Sequence, residues 1–213
     1  MAGQAALSGP GALASVVAVR PAADELPDVL VLNGVSSSGK SSLARELQVL
    51  LPRPYLVLGV DTLVDAVPAS LLAQDDGLSF HSDGVVEVGA AFTALEDAWY
   101  AGLAAAARAG APLILDEVLL GGGRSQRRLA AALEGLVVRW VAVRCDVQVA
   151  VAREAARPDR TVGMAAAQAP LVHAGVTYDV SVDTSRDSSA GCARAVVDAL
   201  QLVASRAPAR PSG

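Results

Sequence analysis

Lysine is nearly missing from this 213-residue chain: among 17 cationic residues, Lys40 is the only one that is not arginine. Aromatic residues make up 3%, and the formal net charge is −5. That combination excludes a nucleic-acid surface, which needs basic stripes and stacking rings. No apolar run reaches the length of a membrane span, so the expectation is a soluble, cytoplasmic chain without a membrane partner. Residues Gly11 to Val19 are mildly apolar, but no basic residue precedes them, which argues against a secretory signal. There are two cysteines, Cys145 and Cys192, with no metal-ligand spacing; they are expected to be buried thiols in a reducing compartment. No internal repeat is present. Nothing in the sequence defines oligomeric state, and a homo-oligomer stays open.

What is present centres on the one lysine. Gly34-Val35-Ser36-Ser37-Ser38-Gly39-Lys40-Ser41 fits the phosphate-binding loop pattern of Gly, four residues, then Gly-Lys-Ser/Thr. Val29 to Leu32 before it forms a short continuous apolar run, as in a buried parallel strand. After it, Leu43, Leu47, Leu50 and Leu51 fall at helical spacing, and Pro52 stops the run. Strand, glycine loop and helix aim backbone N–H groups and a helix N-terminus at a polyphosphate. A chain this averse to lysine keeps one where a flexible ammonium must reach β- and γ-phosphates.

Elsewhere strands and helices alternate. Residues 1–26 are rich in Ala, Gly and Pro without a period and are expected to be a flexible extension; one domain is expected over 27–204, with 205–213 as a frayed tail. Further strands are expected at Tyr55–Val60, Leu113–Leu115, Val137–Val143 and Tyr178–Val182. Helices are expected at Ala90–Arg108, Arg124–Glu134 and Ser188–Val203. Asp83-Gly84 between two apolar runs predicts a hairpin with a two-residue turn. The pattern implies an α/β fold, a five-stranded parallel sheet with helices on both faces and ligands at the strands' carboxyl ends.

Three chemical groups fall at such ends. Lys40 is expected to bridge the phosphates of ATP, and the Ser41 hydroxyl to ligate Mg²⁺ that the phosphates largely hold. Asp116, after the third strand, takes the place of the acid that orients the metal; the alternative is a cap on the following segment. Glu117 could face either way. Asp61, after the second strand, suits a carboxylate that accepts the proton of an attacking hydroxyl; the alternative is a helix cap. A ribose-binding acid is excluded, because this loop is not Gly-x-Gly-x-x-Gly. Arg153, Arg157 and Arg160 could line one helix face as a lid over phosphates, or a solvated face paired with Glu154 and Asp159. His81 and His173 lack ligand partners and read as structural or surface residues.

From about Val29 to Thr184 the chain resembles the chloramphenicol phosphotransferase family. The resemblance is carried by Val31-Leu32-Asn33-Gly34 with Gly39-Lys40-Ser41, Gly59-Val60-Asp61, Ala94-Leu95-Glu96 and Val143-Arg144-Cys145-Asp146. It continues through Arg153-Glu154, Ala156-Arg157, Asp159-Arg160, Gly163-Met164-Ala165-Ala166 and Tyr178-Asp179-Val180 with Val182-Asp183-Thr184. It implies a P-loop NTPase of adenylate-kinase-like fold with a small lid. It also implies ATP-dependent phosphorylation of a small-molecule alcohol, the primary hydroxyl of chloramphenicol. On this resemblance Asp61 is the proton acceptor, Arg157 and Arg160 are lid residues near the phosphates, and Asp183-Thr184 lie near adenine. Val35 departs from a family glycine and Glu117 from a second aspartate, and Pro158 interrupts the lid segment. Residues 63 to 92 are where acceptor selection is expected.

Overall fold

The computed structural model describes residues 26–72, 74, 76–157 and 162–202. The expected extension up to residue 25, the expected tail, and Arg160 lie outside the described residues. The chain runs β1 (Val29–Asn33), α1 (Lys40–Leu50), β2 (Leu56–Gly59), α2 (Val60–Ala66), α3 (Ala69–Leu72), β3 (Leu78–Phe80), β4 (Val86–Val88) and α4 (Ala90–Arg108). It continues with β5 (Leu113–Glu117), α5 (Gly123–Ala132), β6 (Val138–Arg144), α6 (Val147–Ala155), α7 (Met164–Gln168), β7 (Val180–Asp183) and α8 (Ser189–Leu200). Five strands form a parallel sheet in the order β2-β5-β1-β6-β7, and β3 and β4 form a separate antiparallel hairpin.

β1 is buried along its whole length, and its period-two alternation divides the core. Leu30 and Leu32 join Leu43 and Leu47 of α1 and Val196 of α8 on one face. Val29 and Val31 join Tyr100 and Leu103 of α4 and Leu129 of α5 on the other. Each fully buried leucine contributes roughly 1.5–3 kcal/mol of burial, so the two layers hold the loop after β1 between them. α1 stops where Pro52 forces Leu51 into an extended conformation, with ψ 140°.

The structure adjusts several expected boundaries. β2 ends at Gly59, and Val60 already begins α2. A Cβ on Gly59 would stand 2.1 Å from the Asp116 carbonyl oxygen, so β2 can approach β5 this closely only at glycine. β5 runs on through Asp116 and Glu117. The hairpin loop has three residues, Ser82 to Gly84, because the His81 N–H donates to the Val85 carbonyl. Gly84 takes the left-handed conformation there, with φ 84°. α6 ends at Ala155, so Arg157 does not share a helix face with Arg153. Cys192 is buried, whereas Cys145 is half-buried; both are free thiols. Trp99 and Trp140 pack at the margin of the second core layer. No helix among the described residues is long and apolar enough to cross a membrane.

Candidate active site

Because β5 inserts between β1 and β2, the carboxyl ends of all three strands meet on one side. Leu32 of β1 and Gly59 of β2 are both in register with Asp116. Asp116 therefore faces the phosphate-binding loop directly. Its Oδ2 accepts the Ser41 hydroxyl at 2.6 Å, and its Oδ1 lies 3.6 Å from Lys40 Nζ. Lys40, 6% exposed, also donates to the carbonyls of Gly34 and Val35 at 3.0 and 2.9 Å. The ammonium is thus held over the mouth of its own loop.

The loop offers polar atoms without protein partners. The hydroxyls of Ser36, Ser37 and Ser38 are buried and have no hydrogen-bond partner among the described residues. Val35 turns the other way and packs against Ala150, Ala165 and Val172, so the position that departs from a family glycine is a small core contact. A cavity of about 470 Å³ opens over the loop, bounded by Lys40, Ser41, Asp61, Asp116, Arg157 and Thr184 among others. The residues fit a magnesium–nucleotide group. Ser36, Ser37 and the loop lysine line the space where phosphates would lie, and a serine–aspartate oxygen pair suits a hard cation. Among the described residues no cluster of three or more His, Cys, Asp or Glu could hold a metal unaided.

A second cavity of about 650 Å³ adjoins the first. Its apolar wall comes from the hairpin and α4, with Leu78, Phe80, Val86 and Phe92. Its polar floor is Arg128 of α5, which donates to Glu96 Oε2 at 2.9 Å and to Asp97, while the Tyr100 hydroxyl donates to Glu96 Oε1 at 3.1 Å. Asp61 lines both cavities, together with Val60, Val118, Met164 and Gln168. Asp61 is exposed and stands in the first turn of α2, two residues past the cap position, which Gly59 occupies.

The remaining predicted residues divide. Thr184 is buried; its hydroxyl donates to the Ser38 carbonyl at 2.6 Å, and its carbonyl accepts Arg153 Nη2 at 2.8 Å. It thus ties the end of β7 to the phosphate loop. Asp183 does not line the cavity. Its Oδ1 accepts the Ser185 amide and hydroxyl at 2.9 and 2.6 Å, closing the turn after β7. Desolvation pushes its pKa up, but the Ser185 bonds and the Arg186 charge outweigh that and hold it below the usual value. Arg157 reaches the first cavity from beyond the end of α6.

Other residues carry structure that the sequence did not reveal. Glu154, expected at most to pair with arginines, is fully buried and accepts the Gly163 and Ala165 amides at 2.8 and 3.0 Å. Asn33 donates to the Val172 carbonyl and the Tyr178 hydroxyl, and accepts the Leu119 amide. Tyr178 therefore gives its own proton to His173 Nδ1, 2.7 Å away. Burial holds His173 near pKa 4, so it is a neutral strut. Glu117 faces inward, 1% exposed, with one carboxyl oxygen unpartnered. Burial, then Glu96 and Asp116, push its pKa well up.

The chloramphenicol phosphotransferase-like protein family matches residues 27–201. The chain belongs to that family. Membership makes it an ATP-dependent small-molecule phosphotransferase. Solved structures with the same fold include an unliganded sugar kinase from Janibacter, with TM-score 0.62 and 16% identity over 82% of this chain and 95% of that one. A gluconokinase from Sinorhizobium meliloti gives 0.59 and 18% over 84% and 94%. The tunicamycin resistance protein of Deinococcus radiodurans gives 0.55 and 18% over 84% and 98%. At these identities the likeness is one of fold: a P-loop kinase sheet flanked by helices. The comparison with curated proteins finds no match.

Proposed function

We propose that the chain transfers the γ-phosphoryl group of ATP to a hydroxyl of a small, apolar-bodied alcohol, and that chloramphenicol, through its primary hydroxyl, is the acceptor. One observation carries the reading: Asp61 stands at the boundary shared by the phosphate-loop cavity and the apolar-walled cavity beside it. An acceptor in the second cavity would present its hydroxyl to Asp61 and to the nucleotide at once. Such juxtaposition converts a bimolecular encounter into a positioned one.

In this reading the loop amides and the Ser36 and Ser37 hydroxyls cradle the phosphates. Lys40 leaves its carbonyl partners for the β- and γ-oxygens. Ser41 and Asp116 would hold magnesium, which spreads the charge of the phosphates. Asp61 accepts the acceptor's proton as its oxygen attacks phosphorus. Arg157 stands where charge on the leaving group and transferred phosphoryl would develop. Leu78, Phe80, Val86 and Phe92 exclude water and bind the acceptor's apolar body. The cytoplasm, where ATP is available, is the compartment this activity requires, and inactivation of an antibiotic would be its consequence.

The test is ATP consumption with and without chloramphenicol, with mass spectrometry of the acceptor. Acceptor-dependent ADP release and a monophosphorylated chloramphenicol are expected. ATP consumption stimulated by a different alcohol and not by chloramphenicol would replace the acceptor while keeping the mechanism. Consumption insensitive to a broad panel of alcohols would refute phosphotransfer to a small molecule.

A further inference from the structure

Gln168 of α7 is 3% exposed, yet it lines both cavities. Its Oε1 accepts the Ser36 amide of the phosphate loop at 2.7 Å. This bond settles the orientation of the side chain, because a backbone N–H can only be received by the amide oxygen. The Nε2 group must then point away from Ser36. Among the described residues it has no hydrogen-bond partner, and it is not sealed from the cavities. Donors that open onto a cavity are met by water until a ligand oxygen replaces it.

The helix that carries Gln168 is held at both ends. Glu154 accepts the Gly163 and Ala165 amides before and within its first turn. After it, the Val172 carbonyl accepts Asn33 Nδ2 at 2.7 Å. Gly163 also packs backbone to backbone against the hairpin tip: a Cβ on Gly84 would stand 2.1 Å from the Gly163 carbonyl carbon. The amide is therefore placed by β1, α6 and the acceptor-side hairpin, with little freedom of its own.

We propose that Gln168 serves the transfer step with both ends of one amide: Oε1 fixes the loop through Ser36, and Nε2 donates a hydrogen bond to the phosphoryl group as it crosses between the cavities. The inference rests on the phosphotransferase reading of the site. The donors stand at the same boundary as Asp61, where charge spreads over the equatorial oxygens of the moving phosphoryl. A preorganised donor there stabilises the transition state more than the bound nucleotide, so its loss should appear in kcat rather than in nucleotide affinity.

Gln168→Glu separates the two roles. It keeps the chain length and an oxygen for the Ser36 N–H, and it removes the Nε2 donors. The carboxylate it introduces also repels the phosphates and weakens ADP binding, so the diagnostic quantity is kcat with ATP and chloramphenicol at saturating nucleotide, expected to fall about 100-fold, as for loss of one such donor. Gln168→Met removes both ends and should weaken ADP binding as well. A readout that needs no acceptor is the tightening of ADP binding when aluminium fluoride, a phosphoryl mimic, is added with magnesium. Wild type should tighten; Gln168→Glu and Lys40→Ala should not. Tightening in Gln168→Glu equal to wild type, with Lys40→Ala deficient, overturns the role of Gln168 and leaves the kinase reading intact. Wild-type protein that shows neither tightening nor any Lys40 dependence overturns both. If Gln168→Glu does not fold, the side-chain amide resonance of Gln168 in ¹⁵N-glutamine-labelled wild type decides. A shift when aluminium fluoride joins bound ADP supports the contact, and no shift overturns it.

Discussion

Asp61→Asn puts the transfer mechanism at greatest risk. The substitution is nearly isosteric but replaces a base with a neutral amide. Asp61 is exposed and packs in no core cluster, and a melting curve of the variant establishes first that the fold is intact. The nucleotide groups are elsewhere: Lys40, Ser41 and Asp116 contact one another without it. ADP affinity should therefore stay within about threefold. Turnover with the acceptor should fall by roughly 10² to 10⁴, the usual worth of general-base help. A dissociative transition state draws little on the base, which places the loss at the lower end, about 100-fold. That corresponds to about 2.7 kcal/mol of transition-state stabilisation. The assay is paired on one preparation: calorimetry for ADP, and coupled ADP release with chloramphenicol. If the carboxylate serves only the first turn of α2, asparagine would substitute well and turnover would hold. Intact turnover beside intact nucleotide binding would refute Asp61 as proton acceptor.

Two further outcomes follow from the packing. Glu117 releases its proton near 4.5 when unfolded but keeps it to higher pH when folded. The stability it contributes is present below 4.5 and is lost as pH rises toward the folded value, because the folded state then holds a proton the unfolded chain has shed. Glu117→Gln should accordingly flatten the fall of melting temperature between pH 5 and pH 8; an unchanged slope counts against a neutral Glu117. Gly84→Ala forces a side chain onto left-handed backbone, about 1–2 kcal/mol, and into the Gly163 peptide, about 1–3 kcal/mol more. A melting temperature lower by roughly 5–15 °C is expected from differential scanning calorimetry, and a loss under 2 °C would show that the hairpin tip does not rest on Gly163.

Much of this protein is written locally. The phosphate-loop pattern is eight consecutive residues between an apolar strand and a leucine-spaced helix, so short-range pattern was enough to identify it and the strand and helix beside it. α4 matched its expected span because its limits are local: Gly89 before it, and Gly110 with Pro112 after it. Hairpin pairing of β3 with β4 was legible for the same reason, though not its three-residue loop, which depends on the contact between Gly84 and Gly163. Arg157 was misjudged as part of a helical face, since Pro158 could be seen to interrupt the segment but not where α6 would end.

Sheet order lay beyond such reading. That β5 enters between β1 and β2 follows from how two apolar faces are covered by α1 and α8 on one side and α4 and α5 on the other. Only this order sets Asp116 against Ser41 and Lys40, and brings Asp61 to the boundary of two cavities. Alternation along β5 then sends Asp116 toward the loop and Glu117 inward, a choice that depends on strand register. Gln168 carried no signal at all: its partner, Ser36, is 132 residues away, and a glutamine in an alanine-rich helix looks like surface. Local sequence determined which groups could bind phosphate, because neighbours in the chain stay neighbours in space. Tertiary packing decided which distant carboxylates and amides join them, because those distances are set by the burial of apolar faces and not by any residue's own preference.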